Sequence, residues 1–210
     1  RYITVDDKPL FVVYRPQYIK DLPEFVTTFR EEAQKNGLAG LYLVGNNAPD
    51  RWNPEDHGFD AVAPTDLHLL KSKTLYIKEK INRISEKLFS QNILGSTQEG
   101  PMTYEYDGYI EKVTKRKATS YKKFSCLISN WDNTPRSERN GWVLENATPE
   151  KFKKLLLYAV EHVSKYRKEE KFIFIKSWNE WAEGNYIEPD MINGRAYLEA
   201  CKNVLIESEN

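Results

Sequence analysis

The chain has 210 residues, and 31 lysines and arginines balance 31 aspartates and glutamates, so the formal net charge is zero. A neutral chain offers no overall positive field for nucleic acid or an anionic membrane, and we expect neither as a partner. With 40% hydrophobic and 13% aromatic residues it can build a sizeable core, which excludes the disordered class. Its apolar runs fall far short of the roughly 20 residues that cross a bilayer, so we expect no membrane span.

Short apolar runs at five places along the chain predict strands. Each run is bounded by charged residues or by Gly, Pro and Asn, as buried strands of α/β proteins are. In chain order the predicted strands are 9–14, 40–44, 59–63, 124–129 and 171–176. The first two are apolar throughout, so we expect both of their faces to be buried.

Helical spacing of apolar residues separates most of these strands. Pro23 and Gly37 mark the start and the end of the first helix, and Thr148 with Pro149 begins the most regular one. The first predicted helix starts at Leu22, the next three lie around 77–88, 107–119 and 149–163, and the last begins near Arg195. Alternating strands and helices predict an α/β fold with a parallel sheet, either doubly wound or closed as a (β/α) barrel. We expect one domain over residues 1–210.

The two cysteines, Cys126 and Cys201, are far apart, and each lies within an apolar periodic stretch. Cysteine in such a setting usually behaves as a small hydrophobic residue. We therefore expect both to be buried and reduced rather than joined in a disulfide.

Aromatic, amide and charged residues follow several predicted strands, at the end of the sheet where parallel α/β folds collect reactive groups. Tryptophan faces suit the C–H side of a pyranose, and amides and carboxylates suit its hydroxyls. The sequence therefore predicts a sugar site. The residues expected to contact the sugar are Tyr14, Arg15, Asn46, Tyr106, Trp131, Asp132, Asn133, Arg136, Trp178, Asn179 and Trp181.

Glu180 and Glu183 are the candidate catalytic residues. They are three residues apart at the end of the last predicted strand, so a helical turn would place both side chains on one side. Neighbouring carboxylates differ in acidity when they repel each other and are partly buried, and glycosidic bond chemistry needs one acid and one base. The alternative interpretation is an acidic helix N-terminus. That alternative does not explain Asn179 or the flanking Trp178 and Trp181.

Other chemistries lack their usual sequence patterns. The acidic and histidine residues Asp56, His57, Asp60, Asp66 and His68 match no metal-ligand spacing, so we expect no metal. The glycines at 37, 40 and 45 fit no phosphate-binding loop, and we expect no cofactor. A nucleophile-elbow serine and an Asp-x-Asp pair are also missing from the sequence.

Several stretches carry a resemblance to a known family. The most specific is FIKSWNEWAEGNYIEPD at 174–190, followed by GRAYLEA at 194–200. KPLFVVYRP at 8–16, GFDAV at 58–62 and WDNTPR at 131–136 agree with it. Through these motifs the chain resembles the WbsX-like family, which is often labelled glycosyltransferase and is related to glycoside hydrolase family 99, the endo-α-mannosidases.

The resemblance implies a (β/α)8 TIM-type barrel, of which this chain would be the C-terminal portion with about five strands, beginning in mid-domain. It implies that Glu180 is the base that draws the proton from the sugar 2-hydroxyl, so that O2 attacks C1 and forms an anhydro sugar. Glu183 would protonate the leaving oxygen and then activate water or an acceptor, with retention of configuration and no metal. The family and the reduced cysteines together suggest a cytoplasmic location; the alternative is a periplasmic or exported protein whose missing N-terminal part carries a signal.

Three functions stay open at this point. The first is an enzyme that cleaves or transfers an α-linked, mannose-like sugar of an oligosaccharide or polysaccharide. The second is a nucleotide-sugar-dependent glycosyltransferase of lipopolysaccharide or capsule biosynthesis, which the family label favours and the missing Asp-x-Asp pair disfavours. The third is a non-catalytic glycan-binding domain that uses its tryptophans alone.

Overall fold

The computed structural model describes residues 2–49, 51–70, 81, 84–85, 88 and 100–206. The strands are β1 (Thr4–Val5), β2 (Lys8–Tyr14), β3 (Tyr42–Asn46), β4 (Ala61–Ala63), β5 (Met102–Glu105), β6 (Ser125–Ile128), β7 (Trp131–Asp132), β8 (Trp142–Glu145), β9 (Ile173–Lys176), β10 (Asn179–Glu180) and β11 (Asn185–Tyr186). The α-helices bounded within these residues are α1 (Leu22–Lys35), α2 (Tyr106–Thr114), α3 (Thr134–Ser137), α4 (Pro149–Ser164) and α5 (Ala196–Leu205). Short 3-10 turns lie between them.

All five predicted strands are confirmed, as β2, β3, β4, β6 and β9, and the predicted helices are confirmed as α1, α2, α4 and α5. The mixed α/β composition is therefore as expected. The helix predicted around 77–88 lies largely outside the described residues. Among the residues that the structure does describe, no helix is long and apolar enough to span a membrane.

The chain divides into two compact units. The first unit comprises Arg1–Thr65, Lys117–Leu127 and Leu156–Ile175, and the second comprises Asp66–Arg116, Ile128–Leu155 and Lys176–Asn210. Each unit has its own strand pairings.

In the first unit the strand order is β1-β2-β3-β4, and β2, β3 and β4 run parallel in their order along the chain. A parallel bridge from Val62 to Lys123 continues this order beyond β4, and β6 pairs with β9. Tyr14 lies opposite Asn46 in the register of β2 and β3. The carboxyl ends of these two strands are therefore level, as expected of neighbouring parallel strands that end at one edge.

Both faces of β3 are buried, as predicted, because alternate side chains enter two different clusters. Leu41 and Leu43 pack with Val26 of α1 on one face, whereas Tyr42 and Val44 pack with the cluster on the other. For β2 the prediction of two buried faces was wrong. Among the described residues β1 covers only its start, at Lys8 and Pro9, and Phe11, Val12 and Tyr14 farther along the strand are exposed.

In the second unit, β5 and β8 are parallel, and β7 runs antiparallel to β8. A second, short antiparallel pair joins β10 to β11. The rings of Phe152 in α4 and Tyr197 in α5 lie 5.7 Å apart between their centroids, which packs these helix segments together. This unit carries both loops in which the sequence placed most of the sugar site.

The cysteines are not joined in a disulfide, as predicted, and Cys126 is buried whereas Cys201 is half-buried. Burial raises the pKa of the Cys201 thiol, which keeps it in the less reactive protonated form. The cysteines therefore contribute packing rather than a covalent link.

A buried carboxylate holds distant parts of the first unit together. Glu170 accepts hydrogen bonds from the Tyr42 hydroxyl at 3.1 Å, from Arg167 Nε at 3.1 Å and from the Lys122 ammonium. Arg167 also forms a double hydrogen bond with Asp6, at 3.1 and 2.9 Å. Burial would raise the pKa of Glu170, but the bonds from Arg167 and Lys122 outweigh it, so the pKa lies below its usual value.

We predict that Glu170→Gln lowers the free energy of unfolding at pH 7 by about 2 kcal/mol, because it removes the buried negative charge that accepts hydrogen bonds from Lys122 and Arg167. The pKa of Glu170 in the native state lies below its unfolded-state value of 4.5, so the ionised carboxylate stabilises the fold above pH 4.5. This stabilisation is lost as the pH falls through the lower native pKa. Thermal melts between pH 7 and pH 3 should therefore show a steeper loss for the wild type than for Glu170→Gln.

The matched control is Glu169→Gln, since Glu169 is the exposed neighbouring residue. Its melting temperature should stay within the range of a surface substitution. Equal effects of the two substitutions would contradict the role given to Glu170.

Candidate active site

The two glutamates of the predicted site lie at a short hairpin after β9. Asn179 pairs with Tyr186 and Glu180 with Asn185, and a 3-10 turn, Trp181–Glu183, connects the two strands. Ser177 fixes the start of this hairpin, because its hydroxyl accepts from the Glu180 amide at 3.1 Å and donates to the Asn185 carbonyl at 2.8 Å. Glu180 is the residue before the turn and Glu183 ends it, so one turn separates them.

Glu183 is only 7% exposed, and both of its carboxylate oxygens have cationic partners. Oε1 accepts a hydrogen bond from Arg136 in α3, and Oε2 accepts one from the Lys176 ammonium at 2.8 Å. A carboxylate bound at both oxygens has one defined orientation. Glu183 is therefore anchored by the protein itself.

Glu180 is held differently. It is half-buried, and its carboxylate has no hydrogen-bond or ion-pair partner among the described residues. Of the two predicted catalytic residues, one is thus anchored within the fold and the other is available to an incoming group.

Trp131 does not offer a free face to a sugar. Its ring is buried, and the Lys176 ammonium lies 4.3 Å from the ring centroid. A cation over an aromatic face is a favourable contact, so Trp131 supports Lys176. The expected sugar platform at Trp131 is corrected to a support for the cation that binds Glu183.

Asp132 and Asn133 shape the loop that carries Arg136. Asp132 Oδ1 accepts from the Thr134 amide at 2.9 Å and from its hydroxyl at 2.6 Å, and Asn133 Oδ1 accepts from the Trp142 amide at 2.7 Å. These bonds hold the backbone before and within α3. They use one carboxylate oxygen of Asp132 and the amide oxygen of Asn133.

Hydrogen bonds join this loop to the hairpin. Asn185 is fully buried and donates from Nδ2 to the Asn130 carbonyl at 2.8 Å, and Asn130 Oδ1 accepts from the Tyr186 amide at 3.0 Å. Ser129 donates to the Tyr186 carbonyl at 2.7 Å.

Four residues of the site, Lys176, Ser129, Asn130 and Asn185, were not predicted from the sequence. The polar pair Ser129-Asn130 directly after the apolar run of β6 was the signal that could have indicated these two residues.

Two tryptophans remain accessible. Trp178 is 51% exposed and Trp181 is 50% exposed. The Trp181 ring stacks on Tyr186, with centroids 3.9 Å apart at an interplanar angle of 22°, and its Nε1 donates to Glu188 at 2.9 Å. Tyr186 therefore covers one face of the Trp181 ring, and the bond to Glu188 fixes the ring edge that carries Nε1. Asn179 beside them is exposed.

Tyr14, Arg15 and Asn46 belong to the first unit. Tyr14 is exposed, and the Arg15 guanidinium lies 5.1 Å from the Tyr14 ring centroid and 6.0 Å from that of Tyr18. Asn46 donates from Nδ2 to the Ala63 carbonyl at 2.6 Å. These residues end β2 and β3 at one edge of their sheet, as predicted from the strand pattern.

Tyr106 is a core residue rather than a sugar contact. It has no exposed surface, and its hydroxyl donates to the Ile128 carbonyl at 2.6 Å. Burial raises the pKa of this hydroxyl well above its usual value. The expectation that Tyr106 contacts the substrate is corrected, because its place in α2 directs the ring into the interior.

Within the part of the chain that the structure describes, no three His, Cys, Asp or Glu side chains are grouped closely enough to hold a metal ion. Asp60 instead accepts from Arg30 at 3.1 Å and from the Leu43 amide at 2.7 Å, and Asp66 pairs with Arg116. These two carboxylates serve the fold.

Paired glutamates beside exposed tryptophans in a mixed α/β chain are typical of carbohydrate-active enzymes. The comparison with known families agrees with this class. Residues 1–201 match the family described as glycosyltransferase WbsX, and the chain belongs to that family.

The relatives are longer than this chain. The uncharacterized protein WxcX of Xanthomonas campestris pv. campestris, from two strains, is 26% identical over 206 residues, which are 98% of this chain and 28% of WxcX. A solved structure described as a glycoside hydrolase-like protein is similar in fold, with a TM-score of 0.57 at 18% identity. That match covers 96% of this chain and 55% of the solved one.

Gly184 permits the close approach on which this site depends. Its φ is +52°, and a Cβ there would lie 2.9 Å from the Asp132 nitrogen and 3.0 Å from the Asp132 oxygen. We predict that Gly184→Ala destabilises the protein by about 2 kcal/mol or more, from the left-handed backbone and the clash together. Thermal or urea unfolding of the variant and the wild type measures this loss of stability.

The control is Gly108→Ala, because Gly108 lies inside α2 and a Cβ added there would meet nothing within 4 Å. It should be neutral or stabilising by up to about 1 kcal/mol. A Gly184→Ala variant as stable as wild type would show that the loop can move away from Asp132.

Proposed function

We propose that this chain carries the catalytic groups of an enzyme that cleaves or transfers an α-linked, mannose-like sugar in an oligosaccharide or polysaccharide. The observation that carries the proposal is an anchored Glu183 one turn away from Glu180, whose carboxylate has no partner within the described part of the chain. The exposed Trp178 and Trp181 beside them supply apolar faces of the kind that sugars stack on. Family membership supports the carbohydrate class.

We propose further that the chain is a single domain and forms a portion of a (β/α)8 barrel. The parallel order of β2, β3 and β4, continued by the bridge from Val62 to Lys123, is that of successive barrel strands. The fold likeness to a glycoside hydrolase-like protein, of which this chain matches 55%, supports the same view.

In the proposed first step, the Glu180 carboxylate takes the proton of the sugar 2-hydroxyl, and O2 attacks C1 as the bond from C1 to the leaving oxygen breaks. Glu183 gives its proton to that leaving oxygen. No described residue binds the Glu180 carboxylate, which supports the base role, since a base must reach a substrate proton within hydrogen-bond distance.

In the second step, Glu183 takes the proton of water or of an acceptor hydroxyl, whose oxygen attacks C1. The bond from C1 to O2 of the anhydro sugar breaks, and O2 regains its proton from Glu180. Two displacements at C1 retain its configuration. Both glutamates return to their starting state, so the cycle closes without a metal.

A nucleotide-sugar-dependent glycosyltransferase is the second candidate, and the description of the family favours it. The two candidates differ in what leaves C1. A hydrolase or transglycosidase expels a sugar oxygen, whereas this transferase expels a nucleoside diphosphate.

The deciding experiment incubates the protein with α-linked manno-oligosaccharides alone and, separately, with GDP-mannose and the same oligosaccharides. Chain shortening or rearrangement without the nucleotide, with the product anomer followed by NMR, would support the proposal. Activity seen only with GDP-mannose would reject it in favour of the second candidate. Tight glycan binding with no turnover in either mixture would leave a binding protein.

We predict that Glu180→Gln and Glu183→Gln each reduce kcat by about 10³-fold, since each removes one proton-transfer group. Glycan affinity, measured by calorimetry, should change little, because the amide keeps the size and polarity of the side chain. Glu161→Gln on the exposed surface of α4 is the control and should retain full activity. Wild-type turnover in either active-site variant would exclude that residue from the chemistry.

We predict that Trp181→Ala weakens glycan binding about tenfold, because it removes an apolar face whose burial against a sugar ring contributes on the order of 1.5 kcal/mol. Trp181→Phe keeps an aromatic face and should retain most of the affinity. Unchanged binding by Trp181→Ala would show that the sugar lies elsewhere.

A further inference from the structure

Lys176 is a charged residue of this site that was not predicted from the sequence. It is the last residue of β9, and its ammonium lies 2.8 Å from Glu183 Oε2 and 4.3 Å from the centre of the Trp131 ring. Trp131 and Glu183 thus define its position from two sides. The contact with the buried Trp131 ring holds the ammonium in place beside Glu183.

Two cations contact the single carboxylate of Glu183. Arg136 supplies one at Oε1, which already gives this buried carboxylate a charged partner. Lys176 adds a second positive charge at Oε2 and keeps 35% of its side chain exposed. One carboxylate between two cations is favourable where negative charge must appear on that carboxylate during the reaction.

The other charged groups around Glu183 do not replace this effect. Asp132 lies under Gly184 and uses Oδ1 on Thr134, and Glu180 on β10 is negative. Among the described residues, the cations that contact Glu183 are therefore Arg136 from α3 and Lys176 from β9.

We propose that Lys176 is a positioning residue for Glu183. It orients Oε2 and stabilises the negative charge that Glu183 acquires when its proton passes to the leaving oxygen. This role rests on the proposed function of Glu183. Arg136 shares it from the opposite oxygen, while Trp131 holds Lys176 in place.

The test compares Lys176→Met, which keeps the length of the side chain and removes its charge, with Lys176→Arg, which keeps the charge. With α-linked manno-oligosaccharides as the substrate, kcat of Lys176→Met should fall about tenfold or more, the size expected for a lost charged hydrogen bond. KM should change less than kcat. Lys176→Arg should recover most of the rate.

Lys171→Met is the matched control, since Lys171 is exposed just before the same strand. It should match wild type in kcat and in KM.

The outcomes separate the two proposals. A wild-type protein inactive on the oligosaccharides would overturn the proposed function. An active wild type together with a Lys176→Met variant of unchanged kcat would overturn the role of Lys176 alone. A loss in kcat that accompanies a lower melting temperature and an equal rise in KM, with no recovery by Lys176→Arg, would show a merely structural contact and also overturn it.

Discussion

The candidate site depends on the hydrogen bonds that tie the loop after β6 to the hairpin after β9. Asn185 is buried and donates to the Asn130 carbonyl, and Asn130 in turn accepts from the Tyr186 amide. Breaking either bond would leave buried polar atoms unsatisfied, which costs more than the bond contributes when formed. This constraint brings Arg136 and Glu183 together although 47 residues separate them in sequence.

The main strands and helices could be predicted because their signal is local. An apolar run such as 40–44 buries both faces, and α1 begins where Asp21 accepts from the Glu24 amide at 3.2 Å. The short pairs β7–β8 and β10–β11 could not be predicted in the same way. They contain two residues on at least one side and are specified by side-chain bonds to distant backbone, which periodicity does not report.

The sequence could indicate which loops follow the strands, but it could not indicate what each side chain in those loops contacts. Residue type alone cannot distinguish a tryptophan that faces solvent from one that lies beneath an ammonium. Trp181 and Trp131 are the example: the first is half exposed, whereas the second supports Lys176. Lys176 itself ended an apolar strand and resembled a solvated strand terminus, so only the position of Glu183 revealed its contact.

The two glutamates differ in what determines their position, and this difference suits the two kinds of work in glycosidic chemistry. Glu183 is oriented before any substrate arrives, because Arg136 and Lys176 bind its two oxygens. A group that exchanges a proton with both the leaving and the entering oxygen benefits from such fixed geometry, since no reorganisation is needed between steps. In the proposed mechanism Glu180 acts on one hydroxyl of the sugar, and a bound sugar would itself orient this carboxylate, which has no hydrogen-bond or ion-pair partner among the described residues. The protein thus preorganises Glu183, the residue that would act on both the leaving and the entering oxygen in the proposed mechanism.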